Sequence, residues 1–231
     1  MKILALDTST TYGSVALSKE EKIIAEYTLN SNKTHSERLM PIIAQLLKSS
    51  ELTINEIDAV AVSIGPGSFT GLRIALATAK GICYGQRIPL IPISTLMSLA
   101  NNVSGGDGFI CVLLEAGRKQ FYGALYTPSL VELIPPGLFY LDELVKNIPE
   151  QAAKLVFVGP NIDKYKKKIT SSARWRTDYQ IAPPHLNYPR AASLIDITLK
   201  NNKKPVYDYQ FMANLQPFYI RRSSAEEKLQ N

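Results

Sequence analysis

The sequence predicts an α/β protein of two lobes, and three features carry the prediction. Short strands with tight polar connections open the chain and then give way to helical periodicity. Strand, glycine break and helix recur after that, the alternation of an α/β fold. A break at Ser104-Gly105-Gly106-Asp107-Gly108 separates two halves that share a coarse strand–turn–helix order. The expected boundaries are a first lobe over 1–105, a second over 106–206, and an aromatic-rich tail over 207–231 that docks on the body.

Each element follows from local chemistry. Lys2 to Thr8 is apolar and ends in a run of small hydroxyl residues; Gly13 to Ser18 and Ile23 to Leu29 follow, joined by the polar turn Lys19-Glu20-Glu21-Lys22. These read as an antiparallel meander. Leu39, Ile42, Ile43, Leu46 and Leu47 recur at helical spacing. Thr34 or Ser36 can cap that helix, and Glu37 stands where Thr34 needs it for a capping box. Pro41 falls in the early turns, where it is best tolerated. Asp58 to Ile64 is a β-branched strand broken by Gly65-Pro66-Gly67, with a helix from Ser68 to Tyr84. Ile88 to Ile93 is a short strand whose prolines place it at a sheet edge. In the second half, strands are expected at Phe109 to Leu114, Phe121 to Tyr126 and Leu155 to Val158, and helices at Asp142 to Asn147 and Ala191 to Leu199.

Composition excludes several classes. The chain has 231 residues, 45% hydrophobic and 20% charged, which is the balance of a folded domain. Its longest clean apolar run, Phe109 to Leu114, is far short of the ~20 residues a membrane span needs. Asp7 interrupts the apolar opening too early for a secretory leader. The two cysteines, Cys83 and Cys111, lie in apolar segments without paired spacing, so reduced core thiols in a cytoplasmic protein are expected. His35 and His185 form no ligand motif, and no transition-metal site is expected.

The net charge of +6 is unevenly placed. Residues 1–107 carry nine basic and nine acidic side chains, whereas 108–231 carry 17 and 11. The excess is densest at Lys164, Lys166, Lys167, Lys168, Arg174 and Arg176, a window without an acid. Such a window suits an RNA phosphate backbone, and it equally suits a solvated helix face.

Two motifs could carry phosphate chemistry. Asp7, Ser9 and Thr10 follow a strand in a small-hydroxyl turn that can face a phosphate or a metal-bound water, or simply join two strands. Gly65, Gly67, Ser68 and Gly71 lie in Gly65-Pro66-Gly67-Ser68-Phe69-Thr70-Gly71-Leu72-Arg73, where Ser68 can cap the next helix. No P-loop lysine follows, so a structural strand-to-helix turn is equally compatible with this chemistry. The helix after it is rich in small residues, at Gly71, Ala75, Ala77, Ala79 and Gly81. Small residues let another backbone approach, either the protein's own sheet or a second chain.

Taken together, Leu6-Asp7-Thr8-Ser9, Thr34-His35-Ser36-Glu37-Arg38-Leu39-Met40-Pro41, the Gly65–Arg73 stretch and Ala77-Thr78-Ala79-Lys80-Gly81 resemble the TsaB (YeaZ) family. Pro217-Phe218-Tyr219-Ile220-Arg221-Arg222 with Ala225-Glu226 is similar to its C-terminal signature. The resemblance is strong through about residue 125 and thinner from there to about 215. It implies the actin-like ATPase fold of the hexokinase and sugar-kinase superfamily (ASKHA, ribonuclease H-like), with two lobes each holding a mixed sheet flanked by helices. It also implies a non-catalytic accessory role in forming N6-threonylcarbamoyladenosine at adenosine 37 of tRNAs that read codons beginning with A.

In that pathway the transferase TsaD, a paralogue of TsaB, carries the chemistry, and the ATPase TsaE joins the pair. The resemblance implies that this chain pairs with TsaD, meets tRNA through the complex, and forms a homodimer when alone. It implies no cofactor of its own; ATP with magnesium enters only within the complex. The implied pairing surface uses His35, Arg38, Leu39, Ile42 and Leu46 of one helix. From the next it uses Phe69, Leu72, Ala75, Leu76, Ala79 and Ile82. The family's transferase carries a metal-binding HxxxH where this chain has Thr95 and Leu99. On this reading the Asp7 turn and the glycine loop are vestigial. One motif departs from the family: an expected Asp-Ala-Arg reads Glu115-Ala116-Gly117-Arg118. The alternative is an ATP-binding phosphohydrolase or small-molecule kinase of the same superfamily.

Overall fold

The computed structural model describes residues 1–31, 34–150, 152, 154–171, 178–201 and 204–221. The chain forms two five-stranded mixed sheets. The first contains β1 (Ile3–Asp7), β2 (Tyr12–Lys19), β3 (Lys22–Asn30), β4 (Ala59–Gly65) and β5 (Leu90–Ser94), in the order β3-β2-β1-β4-β5. The second contains β6 (Phe109–Gly117), β7 (Gln120–Tyr126), β8 (Glu132–Tyr140), β9 (Lys154–Val158) and β10 (Asp178–Ile181), in the order β10-β9-β6-β7-β8.

The two sheets share one topology. In each, the first three strands form an antiparallel meander and the last two add in parallel beside the first strand. The sequence halves show no strict repeat, yet the architecture is doubled.

The helices are α1 (His35–Ser49), α2 (Phe69–Gln86), α3 (Thr95–Asn101), α4 (Leu141–Lys146), α5 (Lys166–Ser171), α6 (Ala191–Lys200) and α7 (Tyr209–Asn214). The expected meander, the α1 and α2 helices and the edge position of β5 are all present. The sequence reading did not include α3, β8, α5, β10 or α7. β8 contains Pro135-Pro136-Gly137, which breaks the usual strand signal. It is an edge strand, where missing donors are tolerated.

Burial explains why β1 is central. Ile3, Leu4, Ala5 and Leu6 are all fully buried, so both faces of β1 are covered. Leu4 and Leu6 face a core built with Leu39, Ile43 and Leu47 of α1 and Ala75, Leu76 and Ala79 of α2. Ile3 and Ala5 face Ala191, Leu194 and Ile195 of α6. Alternation along one strand thus recruits helices to both sides.

Contacts divide the chain into two compact units: Met1–Ser98 with Pro189–Phe218, and Leu99–Tyr188 with the described residues from 219. This cuts across the sequence-based division, which put 106–206 in the second lobe. The difference is α6. Its apolar face completes the first sheet, so it joins the first unit from far along the chain. Glu26 of β3 accepts from the Ala192 amide (3.1 Å) and pairs with Arg190, and Ser14 of β2 accepts from the Ala191 amide (2.9 Å). Those bonds supply the N-terminal partners that α6 does not find in its own sequence.

Within the first unit, the segment from Tyr207 to Phe218 packs on the body. Met212 is buried, Lys80 donates to the Ala213 carbonyl oxygen (3.0 Å), and the Phe218 amide donates to the Ile64 carbonyl oxygen (2.7 Å). In the second unit, Phe121, Leu125, Leu141, Leu144, Leu155 and Phe157 build the core on one face of the sheet.

Candidate functional site

β1 ends at Asp7 and β4 ends at Gly65, so parallel pairing brings the hydroxyl turn and the glycine loop side by side. The Ser68 hydroxyl accepts from the Gly71 amide (3.2 Å) and caps α2 as expected. The two motifs close on one another. The Ser68 amide donates to the Ser9 carbonyl oxygen (2.7 Å). The Thr8 hydroxyl donates to the Gly71 carbonyl oxygen (2.7 Å). A Cβ at Gly71 would lie 1.9 Å from the Thr8 carbonyl oxygen, and one at Gly67 would lie 2.3 Å from that of Ser9. Only glycine permits this approach. Gly65 lies beside the backbone of Phe218.

Several donors of the turn are engaged within the chain. The Ser9 amide (2.9 Å) and hydroxyl (2.6 Å) both donate to Asp7 Oδ1. The Tyr12 amide donates to the Thr10 hydroxyl (3.1 Å). His35 Nε2 donates to the Thr10 carbonyl oxygen (2.8 Å), so His35 is a turn contact at the start of α1. These residues do not fit a nucleotide phosphate, because the protein's own backbone fills the glycine cradle.

Asp7 is fully buried, and its Oδ2 has no hydrogen-bond partner. Burial pushes its carboxyl pKa above the ordinary value, against the opposing pull of the Ser9 hydrogen bonds, the nearby Ser63 hydroxyl and the His35 ring. Thr95 and Leu99 of α3 are fully buried, and the Thr95 hydroxyl is bonded to that of Ser63 (2.7 Å). Among the described residues, no group of three or more His, Cys, Asp or Glu side chains is placed to hold a metal. Burial pushes the thiols of Cys83 and Cys111 up to about 12, which keeps them protonated and inert.

The implied pairing surface needs correction in its residues. Leu39, Leu46, Leu72, Ala75, Leu76 and Ala79 are buried within this chain. The small side chains at 75 and 79 let α2 approach its own sheet. His35, Arg38, Ile42, Phe69 and Ile82 are half-buried. What α1 and α2 turn outward is a different stripe: Met40, Pro41 and Ala44, and Ala77 and Gly81. Gly81 has no neighbouring atom within 4 Å of where a Cβ would stand. Arg73 lies over the Phe69 ring, 3.8 Å from its centroid, at the start of α2.

The basic window is partly described. Lys164, Lys166, Lys167 and Lys168 are exposed on α5 and the turn before it, and Lys168 pairs with Asp142 (3.3 Å). Arg174 and Arg176 lie outside the described residues. The departing motif forms the β6–β7 hairpin. Gly117, Arg118 and Lys119 have φ of 80°, 52° and 61°, a left-handed turn that Gly117 eases. Glu115 accepts from the Tyr165 hydroxyl, and Arg221 donates to the Ala116 carbonyl oxygen (3.1 Å).

The doubled topology of two mixed sheets flanked by helices defines a protein of the actin-like ATPase fold. Two solved structures share it: YeaZ from Pseudomonas aeruginosa (TM-score 0.78, 23% identity, 94% of this chain and 99% of that one), and the ethanolamine utilization protein EutJ from Carboxydothermus hydrogenoformans (TM-score 0.52, 12% identity, 84% and 90%). A family profile described as "TsaD: tRNA N6-adenosine threonylcarbamoyltransferase" matches residues 22–229. The tRNA threonylcarbamoyladenosine biosynthesis protein TsaB of Bacillus subtilis (strain 168) is 30% identical over 231 residues, 99% of this chain and 97% of that protein. TsaB of Escherichia coli (strain K12) is 37% identical over 128 residues, 54% and 55% of the respective chains. The chain belongs to the TsaB family of tRNA threonylcarbamoyladenosine biosynthesis proteins. Among the described residues no helix is long and apolar enough to cross a membrane.

Proposed function

We propose that this chain is a non-catalytic subunit in the formation of N6-threonylcarbamoyladenosine at adenosine 37 of tRNAs reading codons that begin with A. It binds a TsaD-type transferase and holds it in its competent arrangement, a population shift in place of chemistry. The observation that carries this reading is the closure of the glycine loop on the Asp7–Thr10 turn, where the chain's own backbone fills the glycine cradle and engages the Ser68 amide, the Thr8 hydroxyl and the Ser9 amide.

The pairing surface is the outward stripe of α1 and α2, from Met40, Pro41 and Ala44 to Ala77 and Gly81. The small side chains of α2 admit a partner helix closely, and the adjoining Ile42 and Ile82 supply apolar area. A stable contact of this kind buries about 1,600 Å² or more. Alone, the same stripe pairs with a second copy about a twofold axis. TsaE joins the assembled pair, ATP with magnesium enters with the complex, and tRNA is held by the complex, aided by Lys164, Lys166 and Lys167. The setting is the cytoplasm.

The test is co-purification with the transferase, followed by tRNA modification with and without this chain. Modification that proceeds unchanged without it would refute the role. The rival reading, a phosphohydrolase or kinase, draws on one observation, the unpartnered buried Oδ2 of Asp7. Tight binding of magnesium-ATP by the pure chain would favour it.

A further inference from the structure

The small side chains that α2 turns outward do not end the face on which they lie. Tyr84 follows Ala77 and Gly81 on it, at spacings of four and three residues, and is 63% exposed. The face then passes to α7, a segment from far along the chain. The Tyr84 and Tyr209 ring centroids are 5.9 Å apart at an interplanar angle of 50°. One turn earlier on α2, Lys80 donates to the Ala213 carbonyl oxygen (3.0 Å). Rising positions on α2 thus meet falling positions on α7, so α7 lies antiparallel beside the outward face of α2. Met212 is the α7 side chain that enters the core; Tyr209 is 50% exposed and Phe211 46%.

Charge and area select what covers this face. Between Arg73 and Arg87 the exposed residues of α2 are Ala77, Gly81, Tyr84 and Gly85, and none is charged. The whole of α7, Tyr209–Asn214, is uncharged as well. Charged groups stand at the borders: Arg73 near the start of α2, Arg87 in the left-handed cap beyond its end, and the exposed Asp208 before α7. Neutral aromatic surface inside a charged rim is the composition of a protein–protein contact. Area points the same way. At about 200 Å² for a whole aromatic side chain, Tyr84, Tyr209 and Phe211 leave roughly 300 Å² in water. A specific contact takes about 800 Å² from each partner, which the small residues of α2 cannot supply without help.

We infer that α7 belongs to the surface that pairs with the transferase, with Tyr209 and Phe211 as anchors beside the α2 stripe. The inference rests on the proposed function and adds a third helix, from the C-terminal part of the chain, to the α1–α2 contact. The stripe and α7 form one face, so what covers one covers the other. The occupant is a transferase helix with an uncharged apolar side. Its backbone approaches over Ala77 and Gly81, and its side chains pack on the rings of Tyr209 and Phe211. In such a contact the small residues set the distance, and the rings hold most of the binding energy.

The test uses the full chain and the purified transferase, with affinity read by isothermal titration calorimetry. Tyr209→Ala with Phe211→Ala leaves α1 and α2 unaltered and is expected to weaken pairing by about ten-fold or more. Phe211→Asp alone, a charge on a side chain that the core does not use, should weaken it likewise. Tyr209→Phe should keep the wild-type affinity, because packing needs the ring and not the hydroxyl. Circular dichroism establishes that each variant is folded, and Ala77→Asp is the comparison on α2. If Ala77→Asp abolishes pairing while the α7 variants bind as the wild type does, α7 lies outside the contact: the inference falls and the proposed function stands. If the wild-type chain does not bind the transferase at all, both fall. If the α7 variants lose self-association in analytical ultracentrifugation but keep their transferase affinity, α7 serves a second copy of this chain, and the inference is overturned.

Discussion

Thr8 and Gly71 lock together in both directions: the Thr8 hydroxyl donates to the Gly71 carbonyl oxygen at 2.7 Å, while the Thr8 carbonyl oxygen occupies the space a Gly71 Cβ would need. The contact spans 63 positions of sequence and fastens the start of α2 to the end of β1. Gly71→Ala is expected to destabilise the fold by about 3 kcal/mol or more, since the obstructing atom is backbone and cannot rotate away. Thr8→Val removes only the hydrogen bond, and the Gly71 carbonyl keeps its place in the α2 ladder, so the cost is about 0.5–1.5 kcal/mol. Chemical denaturation of the two variants checks the order. A Gly71→Ala protein as stable as the parent would dismiss the locked contact.

Asp7 gives a pH signature. Its folded-state pKa is raised by burial, so the folded state favours the protonated form. The contribution of that group to stability is full below the unfolded carboxyl pKa of about 4. It is lost as pH rises through the folded pKa. Asp7→Asn keeps an oxygen for Ser9 and never ionises. The variant should therefore exceed the parent in stability at neutral pH, with the gap narrowing as the pH falls through the raised folded pKa and closed by about pH 4. Denaturation midpoints measured from pH 3 to 8 would show this convergence. A gap that stays constant with pH would mean that Asp7 is not the group responsible.

Two neighbouring alanines separate the core from the surface. Ala75 is fully buried against the first sheet, whereas Ala77, two residues on and about 200° round the helix, is exposed on the opposite face. A charge at Ala75 must enter an apolar core without a partner and should unfold the protein, at about 3 kcal/mol or more. Ala77→Asp should leave folding intact within about 0.5 kcal/mol and abolish pairing with the transferase. Size-exclusion chromatography of each variant with and without that partner tests both halves. Undiminished pairing by Ala77→Asp would remove the outward stripe of α2 as the contact.

Periodicity identified α1 and α2 because their apolar positions repeat locally, and it exposed β5 as an edge because prolines report on missing donors. It could not say which way the small residues of α2 face. Ala75, Ala77, Ala79 and Gly81 are alike in sequence, and only the packed sheet distinguishes inside from outside. The place of α6 was illegible for a related reason. Its N-terminal partners, Glu26 and Ser14, lie about 165–177 positions away, and no local signal encodes such a contact. The glycine loop was visible as a motif, but whether it holds a ligand or its own chain depended on distances between segments that sequence does not carry.

The anchoring of α6 yields the last prediction. Glu26 lies on an edge strand, yet its carboxylate accepts from the Ala192 amide and from the Arg190 side chain. Its side chain is 16% exposed and that of Arg190 is 36% exposed, so solvent screens the ion pair only in part. Glu26→Ala would remove the acceptor that the Ala192 amide and the Arg190 guanidinium share. The expected loss is about 1–2 kcal/mol, with hydrogen exchange rising first at residues 191–195 and not in α1. Glu26→Gln keeps one acceptor for Ala192 and should fall between alanine and the parent. Exchange that rises equally across both helices would place the defect in global stability and not in the tether between β3 and α6.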